Sequence, residues 1–102
     1  MAGSRFDKLK AFIAARPADP FPRYALALEH RNAGEHEQAW QAFETLIVQH
    51  PDYTAAYLHA GNALVALGRL EEARAVWRKG VEACAAKGDT HARGELEAAL
   101  SG

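Results

Sequence analysis

Residues 34–43 read GEHEQAWQAF, and residues 68–77 read GRLEEARAVW. The second stretch lies 34 residues after the first, and both carry a glycine, a glutamate, an alanine and an aromatic residue at the same places. The matched pairs are Gly34 with Gly68, Glu37 with Glu71, Ala39 with Ala73, and Phe43 with Trp77. Several matches in one register indicate an internal repeat, which is typical of proteins built from stacked units.

Two helices are predicted in the first period. Apolar residues recur at helical spacing over about 21–33, and Gly34 suits the left-handed position that ends a helix. A second apolar face predicts a helix over about 37–50, and Pro51 stops it.

The second period repeats this arrangement. Thr54 is expected to be the N-cap of a helix that ends at Gly68. The helix after it is predicted over about 71–86, with Gly88 closing it.

A half-unit flanks the two periods on each side. The predicted helix over 4–15 occupies the place of a second helix, because its apolar residues lie 34 positions before those of the first period: Leu9, Phe12 and Ile13 before Phe43, Leu46 and Ile47. A last helix, capped by Asp89 or Thr90, takes the place of a first helix. Six helices are therefore expected.

Composition supports this assignment and narrows the function. The chain has 102 residues, of which 23 are Ala and only 9 are Val, Ile or Thr, so helix is favoured over strand. Its net charge is −1, which disfavours a nucleic-acid partner. No apolar run approaches the roughly 20 residues that span a bilayer, so no membrane partner is expected. A single cysteine, Cys84, excludes an intramolecular disulfide and fits a cytoplasmic location.

The pattern resembles the tetratricopeptide repeat (TPR) family, and small bacterial TPR proteins in particular. In that family small residues stand at the helix crossings, and the matching residues here are Ala27, Gly61, Ala39 and Ala73. Gly34 and Gly68 match the turn glycines of the family. Its aromatic residues and its closing proline are matched by Phe43, Trp77 and Pro51. Three positions depart from the pattern: Arg23 replaces an aromatic residue, Gly80 a common alanine and Ala85 the closing proline. The loss of the proline suggests that the fifth helix continues past its usual end.

The resemblance implies an all-α fold, a short right-handed superhelix of antiparallel helix pairs. We expect one domain over residues 1–102, with an N-terminal flanking helix in 1–17, repeats at 20–53 and 54–87, and a capping helix in 88–102.

The resemblance also implies where a partner would bind. TPR arrays bind peptides or proteins on the concave face, which the first helix of each repeat lines. The matching positions here are Phe21, Tyr24, Leu28, Arg31, Asn32, Leu58, Asn62, Val65 and Leu96. A protein or peptide partner is therefore the leading hypothesis, with a non-catalytic scaffold or adaptor as the function.

Two alternatives stay open for this face. The last helix can lie against it and turn Leu28, Leu58 and Leu96 into ordinary core residues. Otherwise the face can be covered by a second copy of the chain, as a homodimer.

Catalytic and metal-binding patterns are weak. No two of the five histidines lie at i, i+4 on one helix with a carboxylate partner, and Cys84 has no neighbouring histidine in sequence. We therefore expect no enzyme activity, no metal and no cofactor. Arg74 and Arg78 share a helix face and are expected to form ion pairs with Glu71 and Glu82.

Overall fold

The computed structural model describes residues 3–102, with side chains from residue 5 onward. Over this range it contains six α-helices and no strand, as expected for the all-α fold. They are α1 (Gly3–Ala15), α2 (Pro20–Asn32), α3 (His36–Gln49), α4 (Ala55–Ala66), α5 (Leu70–Lys87) and α6 (Thr90–Ser101). The 18-residue α5 is longer than the 14-residue α3, which confirms that it continues where the closing proline is missing.

Glycines in the left-handed conformation and capping aspartates mark where these helices end and begin. Gly34 and Gly68 have φ values of 76° and 75°, the left-handed conformation that glycine adopts without steric cost, so the chain reverses after α2 and α4. The carboxylate of Asp19 accepts a hydrogen bond from the backbone N–H of Phe21 at the start of α2. Asp89 caps α6 in the same way through the N–H of Ala92, as predicted.

Thr54 stands directly before α4, as predicted, but it does not cap the helix. Its backbone is already helical, and its side chain makes no capping hydrogen bond. Instead, the buried Thr54 hydroxyl donates a 2.6 Å hydrogen bond to Asp89, which is 35 residues away. Asp89 thus caps α6 with one oxygen and holds the start of α4 with the other.

Each helix packs antiparallel against the next one, and α4 also contacts α6. The small residues that the repeat places at helix crossings have no exposed surface: Ala27, Ala39, Ala60 and Ala73. Phe43, Leu46, Tyr57 and Leu64 fill the space beside them and are also buried. Small and large side chains therefore alternate in one continuous core, as close packing requires.

The tightest crossing joins α4 to α5. A Cβ atom on Gly61 would overlap the indole ring of Trp77, so only glycine fits there. The Trp77 indole N–H also donates a 3.3 Å hydrogen bond to the carbonyl of Leu58. This bond satisfies the polar atom of an otherwise buried ring.

At the next crossing, between α5 and α6, the helix α5 carries the small residue instead of the large one. Here the glycine is Gly80 on α5, and a Cβ on it would lie 2.6 Å from Tyr57 Cβ and 2.8 Å from Leu96 Cδ1. Leu96 stands 35 residues after Gly61. The departure from the common alanine at position 80 thus gives Leu96 and Tyr57 room to meet.

We predict that Gly80→Ala lowers the free energy of unfolding by about 1–3 kcal/mol, because two packed side chains must move. Gly94→Ala is the matched control on α6, since no atom lies within 4 Å of the added methyl group. There the gain in helix propensity is expected to stabilise the chain by about 0.5–1 kcal/mol. Urea denaturation of the two variants tests the assignment, and equal shifts of the midpoint would contradict it.

Candidate functional site: the inner surface

The first helices of successive units lie side by side. Tyr24 and Arg31 on α2 both contact His59 on α4, and α4 in turn contacts α6. We call the exposed side of these three helices, α2, α4 and α6, the inner surface. It is the surface to which the sequence assigned a partner.

His59 is the centre of the inner surface. Its ring stacks on Phe43 with centroids 5.9 Å apart and planes 18° from parallel, and it also lies 5.9 Å from the Tyr24 ring. Arg31 donates from Nη1 to Nδ1 of His59 at 3.0 Å. An imidazole that accepts a hydrogen bond from a guanidinium at Nδ1 has no proton on that nitrogen, so His59 is neutral in this arrangement.

The electrostatics agree with a neutral His59. Burial lowers the pKa of His59 below its ordinary value, the positive charge of Arg31 lowers it further, and Glu95 on α6 opposes both. Burial likewise raises the pKa of Tyr24, with Arg31 opposing and Glu95 adding to the rise. Side chains from α2, α4 and α6 therefore act on one point of the inner surface.

Arg31 is held in place from two sides. Besides its bond to His59, it donates to Oδ1 of Asn32 from Nη2 at 3.1 Å and from Nε at 3.4 Å. These three bonds use three of the five guanidinium N–H groups.

The structure separates the predicted site residues into three groups. Phe21 and Val65 are 63% and 44% exposed, and Asn32 and Asn62 are exposed as well. Half-buried residues form the second group: Tyr24, Leu28, Arg31 and Leu58. Leu96 forms the third group because it is 1% exposed.

The prediction that Leu96 belongs to the partner-binding face is therefore wrong. The 34-residue register placed it on the open face, but α6 is set one residue later relative to α4, and Leu96 consequently packs against Gly80. Leu96 is thus a core residue of the crossing between α5 and α6.

Two residues of the inner surface were missed by the sequence reasoning. Nothing in the repeat pattern marks His59, although it stands three positions before Asn62 on α4 and so shares a face with it. Glu95 was missed because its contribution depends on how α6 packs.

The basic residues in and next to α5 also differ from expectation. Arg74 donates a 3.1 Å hydrogen bond to the carbonyl of Leu100, and Arg69 pairs with Glu72.

The residues described give little support for a metal site or for a nucleophilic cysteine. Within residues 3–102 there is no group of three or more His, Cys, Asp or Glu side chains placed to hold a metal ion. Cys84 is buried, and burial raises the pKa of its thiol, which disfavours the reactive thiolate form. None of the helices described is long and apolar enough to cross a bilayer.

Comparison with known proteins identifies the family. A family model described as tetratricopeptide repeat matches residues 31–83, just over half of the chain. The chain belongs to the TPR family. A curated relative, the TPR repeat-containing protein PA0015 of Pseudomonas aeruginosa, is 32% identical over 88 residues, which cover 86% of this chain and 84% of that protein.

Solved structures agree with the TPR fold. The crystal structure of a tetratricopeptide repeat domain protein from Salinibacter ruber superposes with a TM-score of 0.76 at 35% identity, covering 80% of this chain and 91% of that one. A protein from Bordetella parapertussis reaches a TM-score of 0.80 over 94% of this chain and 84% of its own, and at 23% identity it supports the fold alone. TPR repeats are generally non-catalytic modules for protein interaction.

His59 predicts a pH dependence of stability. Because the folded-state pKa of His59 lies below the ordinary value of 6.5, the unfolded chain binds more protons between these two pKa values. Stability should therefore fall as the pH drops through 6.5 toward the folded-state pKa, and this contribution should be absent above 6.5.

Urea midpoints at about pH 7.5 and about pH 5.5 measure this effect. His59→Gln keeps an acceptor for Arg31 but does not titrate, so its midpoint should drop less between the two pH values. His50→Gln, at the end of α3, is the control and should behave like the unchanged protein. An equal drop in His59→Gln and the unchanged protein would contradict the assignment.

Proposed function

We propose that this TPR protein is a non-catalytic adaptor that binds a peptide or helix of a partner protein on the inner surface. The observation that supports this most directly is the fixed Arg31. Its guanidinium is oriented by His59 and Asn32 before any partner arrives, and two N–H groups remain for a carbonyl or carboxylate oxygen of the partner. A donor that is already ordered loses less conformational entropy on binding.

Apolar contact area surrounds this donor. Tyr24, Leu28 and Leu58 each keep part of their side chain accessible, while the Val65 side chain and the Asn62 amide are exposed. A surface of this kind combines burial of apolar area with a few directed hydrogen bonds, which is how helices and extended peptides are recognised in grooves. Arg31 and Glu95 both act electrostatically on Tyr24 and His59, so the surface offers both signs of charge for orienting a bound segment.

The cytoplasm is the compartment that we propose for this interaction. A free, buried Cys84 as the single cysteine fits a reducing environment.

Asn62→Glu combined with Val65→Glu tests the proposed surface. Both residues are exposed, so the variant should fold, while two added charges should weaken a contact with apolar area. Val48→Glu on α3 is the matched control, because Val48 is 74% exposed and lies outside the inner surface. Partners retained by the tagged protein are compared by mass spectrometry. A partner kept by Val48→Glu and lost from the double variant supports the proposal, whereas equal retention by both would contradict it.

The alternative is that a second copy covers the inner surface. Light scattering at high micromolar concentration distinguishes the two. A dimer that Asn62→Glu with Val65→Glu dissociates would favour self-association, and a monomer would remove that alternative.

A further inference from the structure

The first helix leaves an apolar face open. Phe12 on α1 is 58% exposed, yet Leu46, the residue 34 positions later on α3, is fully buried. The difference follows from the neighbours: α3 packs between α2 and α4, whereas α1 packs against α2. The side of α1 that a preceding helix would cover in a longer array is bare within residues 3–102.

This face forms a groove rather than a flat patch. A cavity of about 540 Å³ lies between α1 and the start of α2, and another of about 520 Å³ lies along α1. Phe12 and Ala15 line both cavities, so the two lie next to each other on α1. We call this surface the N-terminal groove, lined by Lys8, Leu9, Phe12, Ala15, Arg16, Phe21 and Pro22.

The groove is bordered by positive charge. Residues 1–16 carry four of the twelve Lys and Arg of the chain but one of its thirteen Asp and Glu. Lys8 and Arg16 stand one turn before and one turn after Phe12, and neither is paired with a carboxylate in the part of the chain that the structure describes. Asp19 also lines the groove, but its carboxylate is engaged as the N-cap of α2.

This charge pattern disfavours a second copy as the occupant. Two α1 helices that cross antiparallel at Phe12 would place Lys8 of one copy against Arg16 of the other, at both ends of the contact. Like charges at short range oppose association. A flat lipid surface also fits poorly, because the Phe21 and Pro22 side of the groove stands beside α1 as a second wall.

We propose that the N-terminal groove binds an acidic amphipathic helix of a partner protein. The apolar stripe of such a helix would cover Phe12, Leu9 and Ala15, and acidic residues one turn on either side would face Lys8 and Arg16. This site is built on α1 and the start of α2, apart from Asn62 and Val65 on α4. It is therefore a second surface beyond the one proposed above.

A helical peptide library tests the proposal. The peptides share one apolar stripe, and the flanking positions vary among Glu, Lys and Gln. Peptides selected on the immobilised full-length protein should be enriched in Glu at those positions. Equal enrichment of Lys or Gln would overturn the proposal, as would failure to select any peptide.

Binding of the best selected peptide is then measured by fluorescence anisotropy. Phe12→Ala and the pair Lys8→Glu with Arg16→Glu should each weaken binding by about tenfold, and added salt should weaken it further. Val48→Ala and Lys79→Glu are exposed matched controls, and Asn62→Glu with Val65→Glu tests the inner surface; all three should leave the affinity unchanged. If the inner-surface pair abolishes binding and Phe12→Ala does not, the groove is not the site.

Two further measurements address the other occupants on the same protein. Sedimentation should show a monomer, and a dimer that Phe12→Ala dissociates would overturn the proposal in favour of a second copy. Vesicles of anionic phospholipid should not retain the protein, and retention that Lys8→Glu with Arg16→Glu abolishes would assign the groove to a membrane surface instead.

Discussion

The distance between neighbouring helices at their crossings is the constraint on which the rest of this structure depends. Two helices approach closely only where one of them carries a very small side chain, and the space beside the crossing must then be filled. At the crossing of α4 and α5 the glycine is Gly61 and the filler is Trp77. Because the indole sits directly over the glycine, its N–H reaches the Leu58 carbonyl on α4. One contact therefore sets the spacing of the two helices and satisfies a buried polar atom.

The same constraint decides where the inner surface ends. At the crossing of α5 and α6 the small residue is on the second helix of the pair and the large one, Leu96, on the helix that follows. Leu96 points inward at this crossing, and Thr54 on the α4 side donates a hydrogen bond to Asp89, so that α6 is joined to α4 by a hydrogen bond as well as by packing. As a consequence, α6 contributes Glu95 rather than an apolar residue to the environment of His59.

The fold could be predicted from sequence because its determinants are periodic. Gly34 and Gly68 recur where the chain reverses, and Ala39 and Ala73 recur where helices cross, so the period by itself indicates the architecture. The site was less predictable because it depends on exceptions to that period. Leu96 was misplaced by a one-residue offset of α6, and His59 takes its role from Arg31, which is 28 residues away in sequence. Neither the offset nor the pairing leaves a mark in a single sequence.

The two outermost helices described, α1 and α6, expose side chains of different kinds. The outer side of α6 carries Gly94 and an ion pair between Arg93 and Glu97, and groups of that type are well solvated by water. The outer side of α1 instead exposes Phe12 between two cations. Within residues 3–102 each of these helices has a neighbouring helix on one side, and of the two it is α1 that exposes a large apolar residue on the other side. An exposed aromatic ring retained in a groove and bordered by unpaired charge is a feature that stacking of this chain alone does not require, and recognition of a partner supplies a reason for it.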